Sequence, residues 1–343
     1  MSSPMEMSPI LYRPIEYVER MEYYEPGGYH PVKIGDYFLN RYRIVHKLGH
    51  GTYSTIWLAQ DETSNKNVAV KVCRASFNAL EIGMLAKLSA PSSDRGRAII
   101  PSILDRFNIQ GPNGDHKYGE PEFEPVNRLD GQKLPTGVPE HGVVPIWLGE
   151  ASENVTLLES RILLSDFGEA FSPAQEKKFE SHAPLLIRPP EARFEPTKSL
   201  TSSSDIWSLA CTIWDIIAQK TLFEGIMTDE DDMTCQQIGL LGPLPTEWQE
   251  KHGESIHQSK YLNRSLEGHF EKTVQKARIR ARMPSLGSEE QNALLSMFRS
   301  MLSFKPENRP SAQQVLESEW MVNWALPEYE KIRNSQCYMW RWL

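Results

Sequence analysis

The sequence has little of three things that would narrow its class at once: long apolar runs, paired cysteines and an excess of basic residues. No apolar run approaches the ~18 residues of a membrane-spanning helix. Cys73, Cys211, Cys235 and Cys337 are far apart, without a Cys-x-x-Cys pair, which argues against a zinc site or a disulfide scaffold. The net charge of −8 disfavours direct binding to nucleic acid, because phosphate binding needs a basic surface.

The amino-terminal stretch lacks the uninterrupted apolar core of a secretory signal peptide. It also contains Glu6, Glu16 and Glu19, and acidic residues are unusual in a mitochondrial targeting segment. The sequence therefore predicts a protein of the cell interior, in the cytoplasm, the nucleus or both, without a membrane partner. Its 343 residues allow about two domains or lobes.

A segment near the front has the spacing of a phosphate-binding glycine loop. Gly49 and Gly51 flank His50, and a glycine has no Cβ to keep its backbone N–H groups away from a phosphate. Alternating polar and apolar residues predict strands over 42–47, 54–59 and 68–73 around it. A lone Gly-x-Gly is also a common hairpin turn. The support for a nucleotide site is Lys71. Alternation places Lys71 and Ala69 on one face of the third strand and three valines on the other face.

Two acidic residues extend this pattern. The apolar spacing predicts a helix over 77–88, on which Glu81 is placed to pair with Lys71, with a solvated helix charge as the alternative. Asp166, in Asp166-Phe167-Gly168, follows a strand predicted over 161–165. Its carboxylate is the hard oxygen ligand that Mg²⁺ prefers.

The order of glycine loop, strand lysine and Asp-Phe-Gly resembles the signature of protein kinases. The resemblance implies an α+β, two-lobed protein-kinase-like fold, with a β-rich N-lobe and a mostly helical, incomplete C-lobe. It also implies ATP and Mg²⁺ as cofactors, and Asp166 as the metal ligand. The implied ATP-binding residues are Leu48, Gly49, His50, Gly51, Thr52, Tyr53, Ser54, Ile56, Ala69 and Lys71.

The signature lacks its catalytic loop. In kinases an Asp of this loop activates the substrate hydroxyl, and an Asn five residues later binds the second metal ion. No Asn of this chain has an Asp five positions before it, so no catalytic residue is assigned and phosphoryl transfer is expected to be impaired. Loss of the neighbouring helices would also leave Trp207, Leu209 and Trp214 partly uncovered.

Longer segments resemble the SR-protein kinases, whose glycine loop also ends in Ser where other kinases have Gly. These segments are Gly27–Asp36, Lys47–Gly49 with Ser54–Leu58, Asp205–Cys211, Asp229–Asp232 with Leu241–Pro245, and Pro306–Ala312. The resemblance covers roughly residues 22–325 and implies an Arg/Ser-rich basic protein as substrate. Residues 118–160 resemble the spacer that this family carries, which places the missing segment near Lys117 and Tyr118.

The predicted organisation has five parts. They are a flexible tail over 1–23, an ATP-binding N-lobe over 24–117, a spacer over 118–160, a partial C-lobe over 161–325 and a C-terminal tail over 326–343. Apolar periodicity predicts C-lobe helices over 205–218, 234–241, 289–302 and 312–317.

The resemblance also implies structural roles in the C-lobe. Glu191, which ends Pro189-Pro190-Glu191, would pair with Arg309. Asp205 would normally hold the backbone of the catalytic loop; without that loop its carboxylate is expected either to reach solvent or to be buried without a partner. Capping its own helix explains this residue equally well. The acids Glu224 and 229–232 would suit an Arg-rich docking peptide, whereas a solvated acidic loop is the more frequent case.

Three hypotheses about function remain open at this level. The first is a serine/threonine kinase of the SR-protein kinase type whose activity is weak or lost in this chain. The second is a pseudokinase that binds nucleotide, or a partner, without transfer. The third is an incomplete product of splicing or gene prediction, which reading the transcript across the codons for Lys117 and Tyr118 would decide.

Overall fold

The computed structural model describes residues 10–75, 80–88, 99–100, 105, 123–146, 163–252 and 264–331. The chain divides into two compact units, Met1–Gly168 (the N-terminal unit) and Glu169–Leu343 (the C-terminal unit). The division follows Gly168 directly. Asp166, which the predicted organisation assigned to the C-lobe, therefore belongs to the same unit as the glycine loop.

The N-terminal unit contains a four-stranded antiparallel sheet in the order β1-β2-β3-β4. Its strands are β1 (Tyr37–Phe38), β2 (Tyr42–Gly51), β3 (Ser54–Asp61) and β4 (Lys66–Cys73). The three strands expected from alternation are present, each slightly longer than predicted. Val70 and Val72 of β4 are buried with Trp57, whereas Ala69 and Lys71 lie on the exposed face of the strand. Alternation thus frees one face of the sheet for a ligand.

The region predicted as a spacer contains a second, two-stranded antiparallel sheet. Its strands are β5 (Phe123–Pro125) and β6 (His141–Val143). Val143 is buried with residues of the four-stranded sheet, among them Ile44 and Trp57. The Ile146 N–H donates to the carbonyl of Lys47 at 2.9 Å. The described part of the spacer is therefore folded onto the N-terminal unit.

Residues 10–23, expected to form part of a flexible tail, are packed against this spacer. Tyr12 forms an isolated antiparallel bridge with Arg128. Tyr12 and Met21 are buried in an apolar cluster with Val126. A Cβ at Gly142 would lie only 2.8 Å from the Ile15 side chain. The sequence shows little periodicity here because the segment is held by long-range contacts rather than by a helix or a long strand.

A buried ion pair joins this amino-terminal segment to β2. The Lys47 ammonium contacts the Glu19 carboxylate, and the two side chains are only 1% and 3% exposed. The Tyr24 hydroxyl donates to the same carboxylate at 2.5 Å. Burial lowers the pKa of Lys47, although the charge of Glu19 opposes this shift. Burial, together with the Glu19 charge, raises the pKa of Tyr24 well above its usual value.

Glu19→Gln is expected to lower the free energy of unfolding of the N-terminal unit by about 1.5–3 kcal/mol. The amide keeps an acceptor for Lys47 and Tyr24 but removes the negative charge that compensates the buried ammonium. Hydrogen–deuterium exchange of the β2–β4 amides measures the change in this unit alone. Glu62→Gln is the matched control, since Glu62 pairs with Arg43 at the surface and is 47% exposed. Equal exchange in the two variants would show that the buried pair does not anchor the segment.

The C-terminal unit is helical in its regular elements. They are α2 (Glu191–Phe194), α3 (Ser202–Ala218), α4 (Glu230–Leu241), α5 (Thr246–His252), α6 (Leu266–Phe270), α7 (Lys276–Arg280), α8 (Ser288–Met301) and α9 (Ala312–Leu316), and the N-terminal unit contributes α1 (Leu80–Leu88). The four predicted helices are present, with α3 and α4 beginning a few residues earlier than expected. None of the helices in the described ranges is long and apolar enough to cross a membrane.

The long helix α3 forms the centre of the C-terminal core. Trp207 and Trp214, seven residues apart on one face, are 0% and 1% exposed. The Trp214 ring lies 5.3 Å from Phe298 of α8 in an edge-to-face arrangement. The expectation that both tryptophans are partly uncovered was wrong, because they point into this core. Only the outer face of α3 is open, where Leu209 is 42% and Ile216 59% exposed.

The strand predicted over 161–165 is absent from its described part. Residues 163–166 have no regular structure, and Leu163 and Leu164 are 65% and 52% exposed. The Leu164 N–H donates to the carbonyl of Ile99 at 2.8 Å. The chain thus reaches Asp166 through an irregular, exposed segment over residues 163–165 instead of through the predicted strand. Residues 161–162 lie outside the described residues.

Candidate functional site

The glycine loop is the hairpin between β2 and β3. Gly51 pairs with Ser54 across a turn formed by Thr52 and Tyr53. A Cβ at Gly49 or Gly51 would meet no atom of the described chain within 4 Å. The packing of the described residues therefore does not require glycine at these positions. Space beside the backbone is what a phosphate needs in order to reach the N–H groups, so the hairpin fits the triphosphate of ATP.

The rest of the predicted ATP-binding set lies on or beside this hairpin. Leu48 and Ile56 are half-buried, Ser54 is buried, and His50, Thr52, Tyr53 and Ala69 are exposed. In the pairing of β3 with β4, Ile56 lies directly opposite Lys71. Two residues along the strands, and on the same face, Leu58 lies opposite Ala69. A partly exposed apolar strip thus runs beside the lysine, which is the surface that a flat aromatic base would use.

Lys71 is brought to Asp166 within the N-terminal unit. The Lys71 Nζ lies 3.6 Å from Asp166 Oδ1, and the aspartate side chain is 82% exposed. Asp166 adopts a left-handed backbone conformation with φ of 64°, immediately before a 3₁₀ turn over Phe167–Glu169. A non-glycine residue in this region costs roughly 1–2 kcal/mol, which aspartate tolerates better than most. Such strain motivates a functional hypothesis for the residue.

Glu81, predicted as the partner of Lys71, lies near the start of α1. Its side chain is outside the described residues, so this pairing stays a prediction. Among the described residues, Asp166 is an acidic group that lies near Lys71. The exposed carboxylate of Asp166 fits Mg²⁺, which proteins usually bind through one or two carboxylates together with substrate phosphates. The described residues contain no cluster of three or more His, Cys, Asp or Glu suited to a metal ion.

Tyr29 is a contact of the glycine loop that no sequence motif indicated. Its hydroxyl donates to the carbonyl of Gly51 at 2.7 Å and approaches that of Thr52 at 3.1 Å. The segment Gly27–Asp36 contains Tyr29 and resembles the SR-protein kinases, but this resemblance assigned no contact to the residue. The concentration of tyrosines at positions 23, 24 and 29 is the one signal that could have indicated a packed rather than a solvated segment.

Glu191 and Arg309 are brought together inside the C-terminal unit. Arg309 donates to both carboxylate oxygens of Glu191, at 2.9 and 2.6 Å. Its remaining N–H groups donate to the carbonyls of Ser203, Ser303 and Phe304. All five donors of the guanidinium are thereby used, and its side chain is 0% exposed. The arrangement is a structural brace within the C-terminal unit.

Asp205 does not cap its helix. The cap of α3 is Thr201, whose side chain accepts a hydrogen bond from the Ser203 N–H. Asp205 is exposed, although surrounding protein raises the pKa of its carboxyl group by desolvation. Capping, one of the two roles expected for Asp205, was therefore wrong, because a neighbouring threonine takes it. The exposure of Asp205 agrees with the expectation that its carboxylate reaches solvent when no catalytic loop covers it.

The side chains of four of the five acidic residues considered for docking are engaged within the C-terminal unit. Asp229 caps α4 by accepting from the Asp232 N–H at 2.8 Å. Salt bridges join Glu230 to Arg188 at 3.3 Å, Asp231 to Arg193, and Glu224 to Arg264 at 3.8 Å. Part of the negative charge predicted for an Arg-rich peptide is thus already neutralised by this chain's own arginines.

Comparison with known proteins finds similarity to protein kinases. Residues 152–321 match the model of the protein kinase domain. A serine/threonine protein kinase of Aspergillus fumigatus is 27% identical, with 89% of this chain and 90% of the relative aligned. Human SRSF protein kinase 3 is 43% identical over 99 residues, which cover 27% of this chain and 18% of that protein.

The fold comparison agrees with the sequence comparison. A crystal structure of a kinase domain superimposes with a TM-score of 0.51 at 18% identity, covering 85% of this chain and 98% of that one. At this identity the likeness concerns the fold alone. The expected kinase-like fold, with a β-rich N-lobe and a helical C-lobe, is therefore confirmed.

The alignment with the Aspergillus kinase is longer than the part of this chain that it includes. It runs over 365 positions, although only 89% of this 343-residue chain takes part. The relative therefore carries segments that have no counterpart in this chain.

Proposed function

Because this chain carries a protein kinase domain and has SR-protein kinases among its relatives, we propose that it binds ATP with Mg²⁺ in its N-terminal unit. The observation that supports this most directly is the pair of Lys71 and Asp166, 3.6 Å apart in the same unit as the open glycine hairpin. The hairpin offers N–H groups to phosphates, the lysine offers a cation, and the aspartate offers a metal ligand.

Within this proposal each residue has a defined task. The backbone of Gly49–Gly51 lets phosphates approach closely, and Lys71 orients the α- and β-phosphates. Asp166 holds the metal ion through its exposed carboxylate. ATP, when bound, supplies the γ-phosphoryl group, and Mg²⁺ offsets its charge. Ala69 and Ile56 provide the apolar surface for the base.

The proposed protein substrate is a serine in an Arg/Ser-rich segment. This follows from the segments that resemble SR-protein kinases and from the relative named as an SRSF protein kinase. The overall net charge of −8 suits a basic substrate. Cytoplasm, nucleus or both is the location proposed for this activity.

A second function is favoured by the sequence itself. Because no Asp precedes an Asn by five positions, the base and second metal ligand of the kinase pattern are missing. The chain would then act as a nucleotide-binding pseudokinase or scaffold. If this gap came from splicing or gene prediction, the transcript would contain an in-frame segment between the codons for Lys117 and Tyr118, and the complete protein would be an ordinary kinase.

Lys71→Met is expected to weaken the binding of ATP with Mg²⁺ by about 10- to 150-fold. The substitution keeps an unbranched side chain, one heavy atom shorter, but removes hydrogen bonds from a charged group, each worth about 1.5–3 kcal/mol. Isothermal titration calorimetry measures the affinity, and a thermal-shift assay with ATP, ADP and Mg²⁺ gives an independent check.

Lys66→Met is the matched control, because Lys66 lies at the start of the same strand and pairs with Asp61 in the sheet register. This control is expected to bind ATP as the unchanged chain does. A chain that shows no calorimetric signal and no thermal shift with any nucleotide would rule out the proposed nucleotide site and leave only a scaffolding role.

A further inference from the structure

The glycine loop is held from outside by a segment that precedes the sheet. The Tyr29 hydroxyl donates to the Gly51 carbonyl at 2.7 Å and lies 3.1 Å from the Thr52 carbonyl oxygen. Both carbonyls belong to the tip of the hairpin that would receive the phosphates. Tyr29 is only 6% exposed, so its hydroxyl is fixed at this place rather than free in solvent.

The geometry of the peptide bond gives this contact a consequence for ligand binding. In a trans peptide the N–H points opposite to the C=O of the same plane. When Tyr29 holds the Gly51 carbonyl, it also sets the direction of the Thr52 N–H. Its contact with the Thr52 carbonyl does the same for the N–H of Tyr53. The two amides at the tip of the loop are thus turned away from Tyr29.

The ring of Tyr29 is itself held by aromatic and cationic neighbours. The Arg74 guanidinium lies 5.5 Å from the ring centroid, and Arg74 follows β4 directly. The rings of Tyr23 and Tyr24 lie 6.2 and 5.6 Å from that of Tyr29. The backbone is fixed as well, because the Tyr29 N–H donates to the Tyr23 carbonyl at 2.9 Å. The hydroxyl therefore has little freedom to leave the loop.

This support continues to the buried ion pair described above. Tyr24 donates to Glu19, which pairs with Lys47 of β2. At the other end, the Ala75 N–H donates to the Gly28 carbonyl at 3.1 Å. A Cβ at Gly28 would lie 1.9 Å from the Tyr23 carbonyl oxygen, so this close turn requires glycine. The segment is thus attached to the strand before the glycine loop and to the residues just after β4.

We propose that Tyr29 is a positioning residue for the phosphate-binding loop. Its hydroxyl pre-orders the peptide planes at Gly51 and Thr52, so that the N–H groups of Thr52 and Tyr53 face a phosphate before it arrives. Pre-ordering a loop strengthens binding because the ordering entropy is not lost again when the ligand binds. The inference rests on the proposed nucleotide site and assigns a residue outside the glycine motif to it.

Tyr29→Phe tests the proposal, because it removes the hydroxyl and keeps the ring. Binding of ATP with Mg²⁺ is expected to weaken about three- to tenfold, the range that follows from losing one net hydrogen bond. Adenosine, which has no phosphates, is expected to bind within about twofold of the unchanged chain. Calorimetry with ATP and with adenosine gives the ratio of the two affinities. A general loss of protein stability would affect both ligands alike and leave this ratio unchanged.

Tyr24→Phe is the matched control, since it removes the hydroxyl of a tyrosine whose ring packs beside that of Tyr29. The Tyr24 hydroxyl donates to Glu19 instead of to the loop. It is expected to lower stability while leaving the ratio of ATP to adenosine affinity as it was. Arg74→Met is a second variant, which removes the cation over the Tyr29 ring and is expected to shift the ratio in the same direction as Tyr29→Phe, but less.

Hydrogen–deuterium exchange separates this inference from the proposed function. In the ligand-free protein, Tyr29→Phe is expected to speed exchange at the amides of residues 52–54, with little change in β3 and β4. A Tyr29→Phe variant with unchanged loop exchange and an unchanged ATP-to-adenosine ratio overturns the positioning role. If the unchanged chain binds no nucleotide, the proposed function fails, while faster loop exchange in the variant still establishes that Tyr29 orders the hairpin.

Discussion

Replacing Arg309 with methionine is expected to lower the free energy of unfolding of the C-terminal unit by about 3–5 kcal/mol. The guanidinium is fully buried and uses all five of its N–H groups. The Glu191 side chain is only 6% exposed, and the substitution leaves its carboxylate without its cation. It also removes the donors for three backbone carbonyls, and unsatisfied buried groups are costly. Methionine fills much of the volume of the arginine side chain, so the lost free energy of unfolding comes mainly from the polar groups that lose their partners.

Urea unfolding followed by hydrogen–deuterium exchange in α2, α3 and α8 measures this effect in the right unit. A single unfolding curve is less informative, because a chain of two units need not unfold in one step. Arg188→Met is the matched control, since its pair with Glu230 is 3.3 Å apart and exposed. Exposed pairs contribute about 0–1 kcal/mol. Equal losses in both variants would mean that the Glu191–Arg309 brace carries no special stability.

Phosphorylation of an Arg/Ser-rich peptide by this chain is expected to be about 10²–10⁴-fold slower than by a chimera that contains a catalytic loop. The chimera carries the corresponding segment of an SR-protein kinase between Lys117 and Tyr118, where the sequence places the gap. The added Asp accepts the proton of the substrate hydroxyl, and the added Asn supplies a second metal ligand. Lys71 and Asp166, which the proposed function assigns to the nucleotide, are the same in both proteins.

Single-turnover transfer of radiolabelled phosphate from ATP measures this difference without interference from product release. The control is the same chimera with the added Asp replaced by Asn, which is expected to lose most of the gain. If the unchanged chain transferred phosphate as fast as the chimera, a carboxylate elsewhere would have to orient the serine hydroxyl. The pseudokinase hypothesis would then be wrong.

Local pattern was enough to predict the sheet and the central helix. The strands around the glycine loop alternate with period two, and one face is apolar, so pairing and burial follow from the same residues. In α3, Trp207 and Trp214 recur at helical spacing, and the core takes up that face. Lys71 lies on the exposed face for the same reason: its two valine neighbours must be buried.

Contacts between distant parts of the chain were not predictable in this way. Glu19 and Lys47 are charged, and their burial depends on a partner 28 residues away. Tyr12 and Met21 lie in a segment with no period, and they are buried because Val126 comes to them from the predicted spacer. The helix cap was missed because several Ser and Thr residues precede Asp205, and sequence alone does not say which of them accepts the first N–H.

The folded spacer has a consequence for the order of events during synthesis on the ribosome. Strands β1–β4 emerge early, but their apolar face is shared with Val143, and Lys47 also bonds the backbone at Ile146. The core of the N-terminal unit therefore stays incomplete until about one hundred further residues have been translated after the glycine loop. During that interval the part of the apolar face that Val143 covers stays open, which makes the nascent chain prone to association.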